Sequence, residues 1–300
     1  MGKETGISWT NHTFSPWWGC SRVSPGCEHC YAETFAKRVG HSKSGSKLPL
    51  WGVDAERRPA SAASWAELVK WNAKAKRDGV RRRVFVASMA DVFEVAPERN
   101  ASANLVMDAG RKRLWSAIED APHLDFQLLT KRPENVEAFV PWGNDWPTNV
   151  WLGVTAEDQA RADERIPVLL EIPARVRFVS AEPLLEELNL SRYVFDREAS
   201  IRKVMRGPAL NYDQADSVIT SAIDWVIVGG ESGPGARPFA LEWARALVEQ
   251  CSAAGVACFV KQMGSRPTWT GGRVDLRDPK GGDPLEWPEA LRVRQFPGGA

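Results

Sequence analysis

The chain has 300 residues, a formal net charge of +1, 43% hydrophobic residues and 26% charged residues. This is the composition of an ordinary globular protein, long enough to bury a core without disulfides or metals. A net charge so close to zero excludes a global field that would attract nucleic acid or an anionic membrane.

Short apolar runs rich in β-branched residues recur along the chain and predict buried strands. A weaker strand is predicted at 6–10, and clearer strands at 84–89, 126–130, 150–155, 176–181, 225–230 and 258–263. Helical patterns separate them at 64–78 (N-cap Ser64), 98–121, 155–172 (kinked or split at Pro167) and 240–255 (C-cap Gly255). This strand–helix alternation indicates a parallel α/β architecture.

Two connections exceed the usual length of loops and predict insertions at about 40–62 and 191–223. Residues 1–263 are therefore predicted to form one domain. The Gly- and Pro-rich stretch 264–300 predicts an irregular C-terminal extension packed on it, with a small hairpin around Gly271 and Gly272.

The chain also carries signals of its compartment. No apolar run approaches the roughly 18 residues that span a bilayer, and the N-terminus lacks the apolar core of a signal peptide. Five cysteines, an odd number, argue against a disulfide framework. We therefore expect a cytoplasmic protein without a membrane partner.

Three of the cysteines, Cys20, Cys27 and Cys30, are spaced C-x6-C-x2-C and must be explained as ligands or nucleophiles. A zinc site needs four ligands, and only His29 or His12 would complete it. A thiol redox centre at Cys27 and Cys30 would leave Cys20 unused. An iron–sulfur cluster held by three thiolates keeps one iron open, where S-adenosylmethionine can chelate. One electron can then cleave the sulfonium and yield a carbon radical.

Five segments carry a resemblance to a known family, namely "GCSRVSPGCEHCYAE", "LLTKRPENV", "WLGVTAEDQARADERIPVLL", "RFVSAEPLL" and "VIVGGESGPGARP". The chain resembles the phage- and prophage-associated radical-SAM-like proteins with a three-cysteine motif. The usual radical S-adenosylmethionine signature is C-x3-C-x2-C followed by an aromatic residue, so the first gap is longer here. "SMADVFE", "LLTKR" and "GVTAED" are more distantly similar to spore photoproduct lyase. The resemblance implies a partial (β/α)6 TIM-type barrel of the radical SAM kind.

The resemblance also implies a cofactor site. Three cysteines, Cys20, Cys27 and Cys30, would hold a [4Fe–4S] cluster. Lys131 would neutralise the methionine carboxylate of S-adenosylmethionine. The other residues expected to bind that cofactor lie next to the cysteines or at strand ends: Tyr31, Asp91, Thr155, Asp158, Glu182, Gly229, Gly230 and Glu231. No catalytic residue is assigned.

The predicted function is that of a radical S-adenosylmethionine enzyme, which cleaves its cofactor to a 5′-deoxyadenosyl radical and modifies or repairs a nucleic-acid base or nucleotide. The expected partners are this substrate, an electron donor and a protein encoded nearby. The alternative is a non-enzymatic nucleic-acid-binding protein stabilised by an iron–sulfur cluster or zinc. In that protein the phosphate contacts would come from Arg81 to Arg83, Lys131 and Arg132.

Overall fold

The computed structural model describes residues 5–39, 49–194 and 223–299. The chain divides into two compact units. The first contains residues 1–153 with 173–175, and the second contains residues 154–172 with 176–300. We describe each unit by itself and number the described strands and helices in chain order.

The first unit combines a parallel sheet with a short antiparallel ribbon. Its elements are β1 (His12–Phe14), β2 (Trp17–Trp18), α1 (Tyr31–Val39), β3 (Arg58–Pro59), α2 (Ala62–Asp78), β4 (Arg82–Val86), α3 (Ala101–Glu119), β5 (Leu124–Thr130) and α4 (Val136–Phe139). Strand β4 lies between β1 and β5, and both pairings are parallel. Strands β2 and β3 pair in antiparallel orientation.

The core of the first unit forms around one apolar face of strands β4 and β5, where Val84 pairs with Phe126 and Val86 with Leu128. Val84, Val86, Phe126 and Leu128 are fully buried. Helix α2 covers the sheet with one apolar face that includes the buried Trp65, Leu68 and Trp71, and helix α3 buries Met107, Leu114 and Ile118. The spacing of these residues at three or four positions gives each helix its buried stripe.

Strand β6 (Val150–Thr155) contributes residues to both units. The second unit continues with α5 (Gln159–Glu171), β7 (Val176–Ala181), β8 (Trp225–Gly229), β9 (Phe239–Ala240), α6 (Leu241–Ala254), β10 (Ala257–Gln262), β11 (Pro267–Trp269) and β12 (Gly272–Arg273). Strand β8 lies between β7 and β10, and both pairings are parallel. Strand β11 pairs with β9 in parallel and with β12 in antiparallel orientation.

The C-terminal segment packs against strands β8 and β10. The backbone N–H of Val260 donates to the carbonyl of Val293 at 2.8 Å. The Phe296 ring lies 5.4 Å from the Trp225 ring and 5.3 Å from the Phe259 ring, measured between centroids. The hairpin predicted around Gly271 is confirmed by the pairing of β11 with β12.

Most predicted elements are confirmed within a few residues, and three details are wrong. The strand predicted at 6–10 is a turn, because Thr10 N–H bonds back to the Ile7 carbonyl, and the strand is β1. The N-cap of α2 is Ser61, whose hydroxyl accepts from the Ser64 N–H. Helix α5 is not split at Pro167 but continues through it, where the burial of neighbouring apolar side chains offsets the one missing hydrogen bond.

Both units therefore belong to the α/β class, with parallel strands alternating with helices. Of the two predicted insertions, residues 40–48 and 195–222 lie outside the described part of the chain. The rest of the first insertion contains β3. No helix in the described ranges has the length and apolarity needed to cross a membrane.

We predict that Gly110→Ala destabilises the protein although alanine favours helices by about 1 kcal/mol. A Cβ at this position of α3 would lie 2.7 Å from the ring of Trp17, which is fully buried. Overpacking of this kind costs about 1–3 kcal/mol, measurable by urea unfolding. Ser116→Ala, at an exposed position of the same helix, is the control and should not destabilise. A Gly110→Ala protein more stable than wild type would contradict the prediction.

Candidate functional site

The cysteine loop, residues 19–30, lies at the carboxyl ends of parallel strands of the first unit. Gly19 N–H donates to the carbonyl of Met89, which follows β4, at 3.0 Å. Arg132, which follows β5, donates from Nη2 to the Ser21 carbonyl at 2.8 Å. Sites in parallel α/β proteins are usually built at this end of the strands.

The backbone around Cys20 is fixed on both sides. Gly19 has a φ of 115°, and a Cβ there would lie 2.5 Å from the Leu50 carbonyl oxygen, so only glycine fits. Cys20 N–H donates to the same carbonyl at 3.2 Å, and Gly52 N–H donates to the Cys20 carbonyl at 3.0 Å. Cys20 therefore forms an isolated parallel β-bridge with Trp51, which holds its backbone in place.

The other two cysteines lie further along the loop, where the chain turns helical. Cys27 ends a turn of 3-10 helix, and Cys30 precedes α1. Both residues are half-buried, and neither forms a disulfide. Tyr31 follows directly and is 54% exposed, but its hydroxyl donates to the Ser88 carbonyl at 2.7 Å. Tyr31 thus ties the start of α1 to the turn after β4.

The buried carboxylate of Glu94 holds the cysteine loop through hydrogen bonds to Ser21. Its Oε1 accepts from the Ser21 N–H at 2.8 Å, from the Ser21 hydroxyl at 2.6 Å and from Arg57 Nη2 at 2.7 Å. Its Oε2 accepts from Arg57 Nε at 2.9 Å. Both charged side chains are fully buried, and the two-point contact is the strongest geometry for such a pair.

A second buried pair meets the same serine. Arg132 donates from Nη1 to Asp91 Oδ2 at 2.9 Å and from Nη2 to the Ser21 hydroxyl at 2.9 Å. Its Nη1 also lies 3.8 Å from Cys20 Sγ. Together with the Arg57–Glu94 pair this makes a network of two guanidinium groups and two carboxylates around Ser21, which we call the loop network.

The loop network sets the electrostatics of the first cysteine. Burial raises the pKa of the Cys20 thiol, the charges of Glu94 and Asp91 raise it further, and Arg132 partly opposes them. Burial lowers the pKa of Arg132, but Asp91, Cys20 and Glu94 outweigh burial and raise it, so the guanidinium stays protonated. Without a bound cation Cys20 is a neutral thiol, and a thiophilic metal must displace its proton.

The cysteine loop fits a thiolate-held group by the chemistry of its donors. It offers three reduced sulfurs in one segment, the soft ligands that iron–sulfur clusters and zinc require. Across residues 5–39, 49–194 and 223–299, however, no three His, Cys, Asp or Glu side chains are already placed as a metal-binding group. Cys27 and Cys30 would therefore have to move toward the fixed Cys20 for the three thiols to share one metal or cluster.

The predicted cofactor-binding residues of the first unit lie beside this loop. Asp91 accepts from the Thr130 hydroxyl at 2.8 Å, from the Phe93 N–H at 3.0 Å and from the Lys131 N–H at 3.1 Å. Its observed role is to join the turns after β4 and β5. Lys131 is half-buried next to Arg132. Their binding of a cofactor stays a prediction.

Four members of the loop network were not among the predicted cofactor-binding or metal-binding residues, namely Ser21, Arg57, Glu94 and Arg132, the last of which was proposed only for phosphate contacts. Glu94 could have been suspected, since it follows an apolar strand closely, as Asp91 does. Arg57 carried no sequence signal, because it lies in a stretch that predicts only a polar insertion. Its pairing with Glu94 joins residues 37 positions apart in the chain.

In the second unit, Glu182, Gly229 and Lys261 meet at the carboxyl ends of β7, β8 and β10. Lys261 Nζ lies 3.0 Å from Glu182 Oε1. A Cβ on Gly229 would lie 2.5 Å from the same oxygen, and one on Gly230 would lie 2.5 Å from the Met263 carbonyl oxygen. Gly230 is therefore required by close approach to backbone, whereas at Gly229 the neighbouring atom is the end of the flexible Glu182 side chain.

The remaining predicted residues of the second unit have structural contacts of their own. The buried Thr155 accepts at its carbonyl from Arg165 Nη1 at 2.8 Å, and Asp158 caps the N-terminus of α5. The Glu231 carboxylate accepts from Arg237 Nη2 at 2.7 Å and from the Arg237 N–H at 2.9 Å. Their roles toward a cofactor stay predictions.

Two of the arginines proposed for phosphate contacts in the alternative function, Arg81 and Arg82, lie elsewhere, whereas Arg132 belongs to the loop network. Arg81 pairs with Asp125 at 2.7 Å, and Arg82 pairs with Asp78 at 2.7 Å. Both lie at the amino end of β4, away from the cysteine loop at its carboxyl end. These two charges are largely neutralised, which weakens the case for a phosphate site there.

The fold and the site together define a parallel α/β protein with a thiol-bearing loop at the carboxyl ends of strands. The chain belongs to the family described as "Protein of unknown function (DUF5131)", whose model matches residues 4–283. A search of the curated proteins found no match, and a search of the solved structures found none either.

We predict that Glu94→Ala costs about 3–5 kcal/mol of stability, because it leaves the buried Arg57 charge uncompensated. Urea-induced unfolding measures the loss. The matched control is Glu67→Ala, which removes the partner of the exposed Lys70 and should cost less than about 1 kcal/mol. Equal losses in the two variants would show that the loop network is not a stability element.

We predict that an alkylating reagent modifies Cys27 and Cys30 of the metal-free protein at least about tenfold faster than Cys20, since the thiolate is the nucleophile. The raised pKa of Cys20 implies that its rate keeps rising with pH beyond the ordinary thiol range of about 8.5. Mass spectrometry of the labelled peptides gives the three rates. Glu94→Ala should speed the labelling of Cys20 alone, and equal wild-type rates would contradict the predicted seating of Cys20.

Proposed function

We propose that the protein is a cytoplasmic radical S-adenosylmethionine enzyme in which Cys20, Cys27 and Cys30 hold a [4Fe–4S] cluster. Its substrate would be a nucleic-acid base or nucleotide, and its partners an electron donor and a protein encoded nearby. The observation that carries the proposal is one loop with three reduced cysteines, seated at the carboxyl ends of parallel strands. The proposal includes the finer fold, a partial (β/α)6 TIM-type barrel.

The chemistry supplied by the bound cluster would be the transfer of one electron to the sulfonium of S-adenosylmethionine, which breaks a carbon–sulfur bond. The protein's part is to keep the loop in place. Gly19 lets the chain approach Leu50, and Glu94 Oε1 fixes Ser21 through two hydrogen bonds. Arg57 in turn holds the Glu94 carboxylate through two more. The first ligand is thus positioned before any metal arrives.

Arg132 would act on charge. Three thiolates bring negative charge into a partly buried site, and the protonated guanidinium 3.8 Å from Cys20 Sγ offsets part of it. Hydrogen bonds to the sulfurs are one of the factors that set the potential of such clusters. Arg132 is therefore a positioning residue in this proposal, acting through Cys20 and Ser21.

S-adenosylmethionine would be bound by the residues already named. Lys131 would hold its carboxylate and Tyr31 would pack beside it.

We expect the wild-type protein, reconstituted anaerobically with iron and sulfide, to bind about four iron atoms per chain with broad visible absorbance. With dithionite and S-adenosylmethionine it should form 5′-deoxyadenosine. Cys27→Ala should lose the absorbance and the product. The matched control is Cys251→Ala, which removes a buried thiol from α6 and should keep both.

Two outcomes would redirect the proposal. A wild-type protein that binds zinc and no iron under these conditions would overturn it. A protein that binds iron but forms no 5′-deoxyadenosine would favour the alternative, a nucleic-acid-binding protein with a metal-stabilised loop. That alternative is supported by the half-buried position of Cys27 and Cys30 beside exposed aromatic rings.

A further inference from the structure

We infer that a surface formed by Trp18, Phe35, Arg38 and Arg58 binds single-stranded nucleic acid. We call it the arginine–aromatic face. It deepens the proposed function, on which it rests for the class of substrate, by naming where that substrate is held. The face adjoins the cysteine loop, since Trp18 and Cys30 pack against the same buried cluster.

The four side chains form one continuous row. Strands β2 and β3 place Arg58 directly opposite Trp18, and its Cζ lies 4.3 Å from the centroid of the Trp18 ring. The Phe35 ring on α1 lies 5.8 Å from the Trp18 ring. Arg38, one turn further along α1, places its Cζ 5.4 Å from the Phe35 centroid. One arginine therefore stacks on each ring of the Trp18–Phe35 pair.

Strand geometry explains why these residues face outward. Successive residues of an extended chain point to opposite sides. Trp17 is fully buried whereas Trp18 is only half-buried, and Arg57 reaches Glu94 in the interior whereas Arg58 stacks on Trp18. The pairs "WW" and "RR" each give one residue to the core and one to the surface.

The two arginines of the face keep their charge available. In the described ranges neither Arg38 nor Arg58 has a carboxylate partner, whereas the nearby Arg22 pairs with Glu33 at 2.8 Å. A guanidinium stacked on a ring uses its flat side and leaves its in-plane N–H donors free. Those donors match two oxygens of a phosphate group. The face thus offers two sites for backbone phosphates.

The aromatic rings supply the second half of the recognition. Phe35 is 38% exposed, and Tyr31 lies one turn earlier on the same side of α1 with 54% exposure. Exposed rings stack on unpaired bases without regard to sequence, and a duplex hides those surfaces. Exposed rings beside stacked guanidinium groups therefore favour a single strand over a duplex and over a simple polyanion.

The test measures binding of short fluorescent DNA and RNA strands, and of the DNA duplex, by anisotropy across a salt series. Phe35→Ala should weaken single-strand binding about tenfold. Arg58→Gln and Arg38→Gln should each lower the slope of log affinity against log salt by about 1. The control is Arg113→Gln, since Arg113 is exposed and stacks on Trp65 at 4.5 Å but lies on α3. It should change neither quantity.

Each other result overturns the inference: no binding by the wild type, equal effects of Arg113→Gln, or duplex binding as tight as single-strand binding. Thermal unfolding checks that the variants fold, and Arg58→Lys, which keeps the charge, should retain most of the salt slope. The full chain is measured as purified and after reconstitution, with iron content determined in parallel. If the protein binds oligonucleotides but takes up no iron, only the proposed cluster is overturned. If it takes up iron but the variants bind oligonucleotides as the wild type does, only the arginine–aromatic face is overturned.

Discussion

The constraint on which the first unit depends is the burial of the Glu94 carboxylate. A charge taken out of water costs several kcal/mol unless it is paired and hydrogen-bonded, so Glu94 must find its donors. It finds them in Arg57 and Ser21, which lie 37 and 73 positions away in the chain. One carboxylate thereby joins the cysteine loop, the segment before β3 and the turn after β4. Arg132 adds the turn after β5 to the same assembly.

This arrangement divides the cysteine loop into a fixed part and an open part. Cys20 is held by backbone hydrogen bonds and by the loop network, while Cys27 ends a 3-10 turn and Cys30 directly precedes α1. A loop with one anchored sulfur loses less conformational entropy when a metal is bound than a wholly free one. The open part borders the arginine–aromatic face. A group held by the thiols would therefore lie close to whatever binds that face.

The sequence predicted the parallel α/β class and the strand positions well, because a continuous apolar run of five or six residues has few other uses. It failed where two local solutions compete. Ser61 and Ser64 are both good N-caps, and the choice depended on where helix α2 meets the sheet. Pro167 has a strong intrinsic tendency to break a helix, yet the buried Ile166 and Leu169 beside it hold α5 together.

The sequence by itself determined the spacing of the three thiols, the apolar strands and the glycines that permit tight turns, since these depend on neighbouring residues alone. Only the tertiary structure decided which of Trp17 and Trp18, or of Arg57 and Arg58, points inward. Alternation along a strand is fixed, but its phase is set by what the other segments place against it. The pairing of Arg57 with Glu94 could not be predicted from the sequence for the same reason, because the partner of a buried charge is the residue that the fold brings next to it.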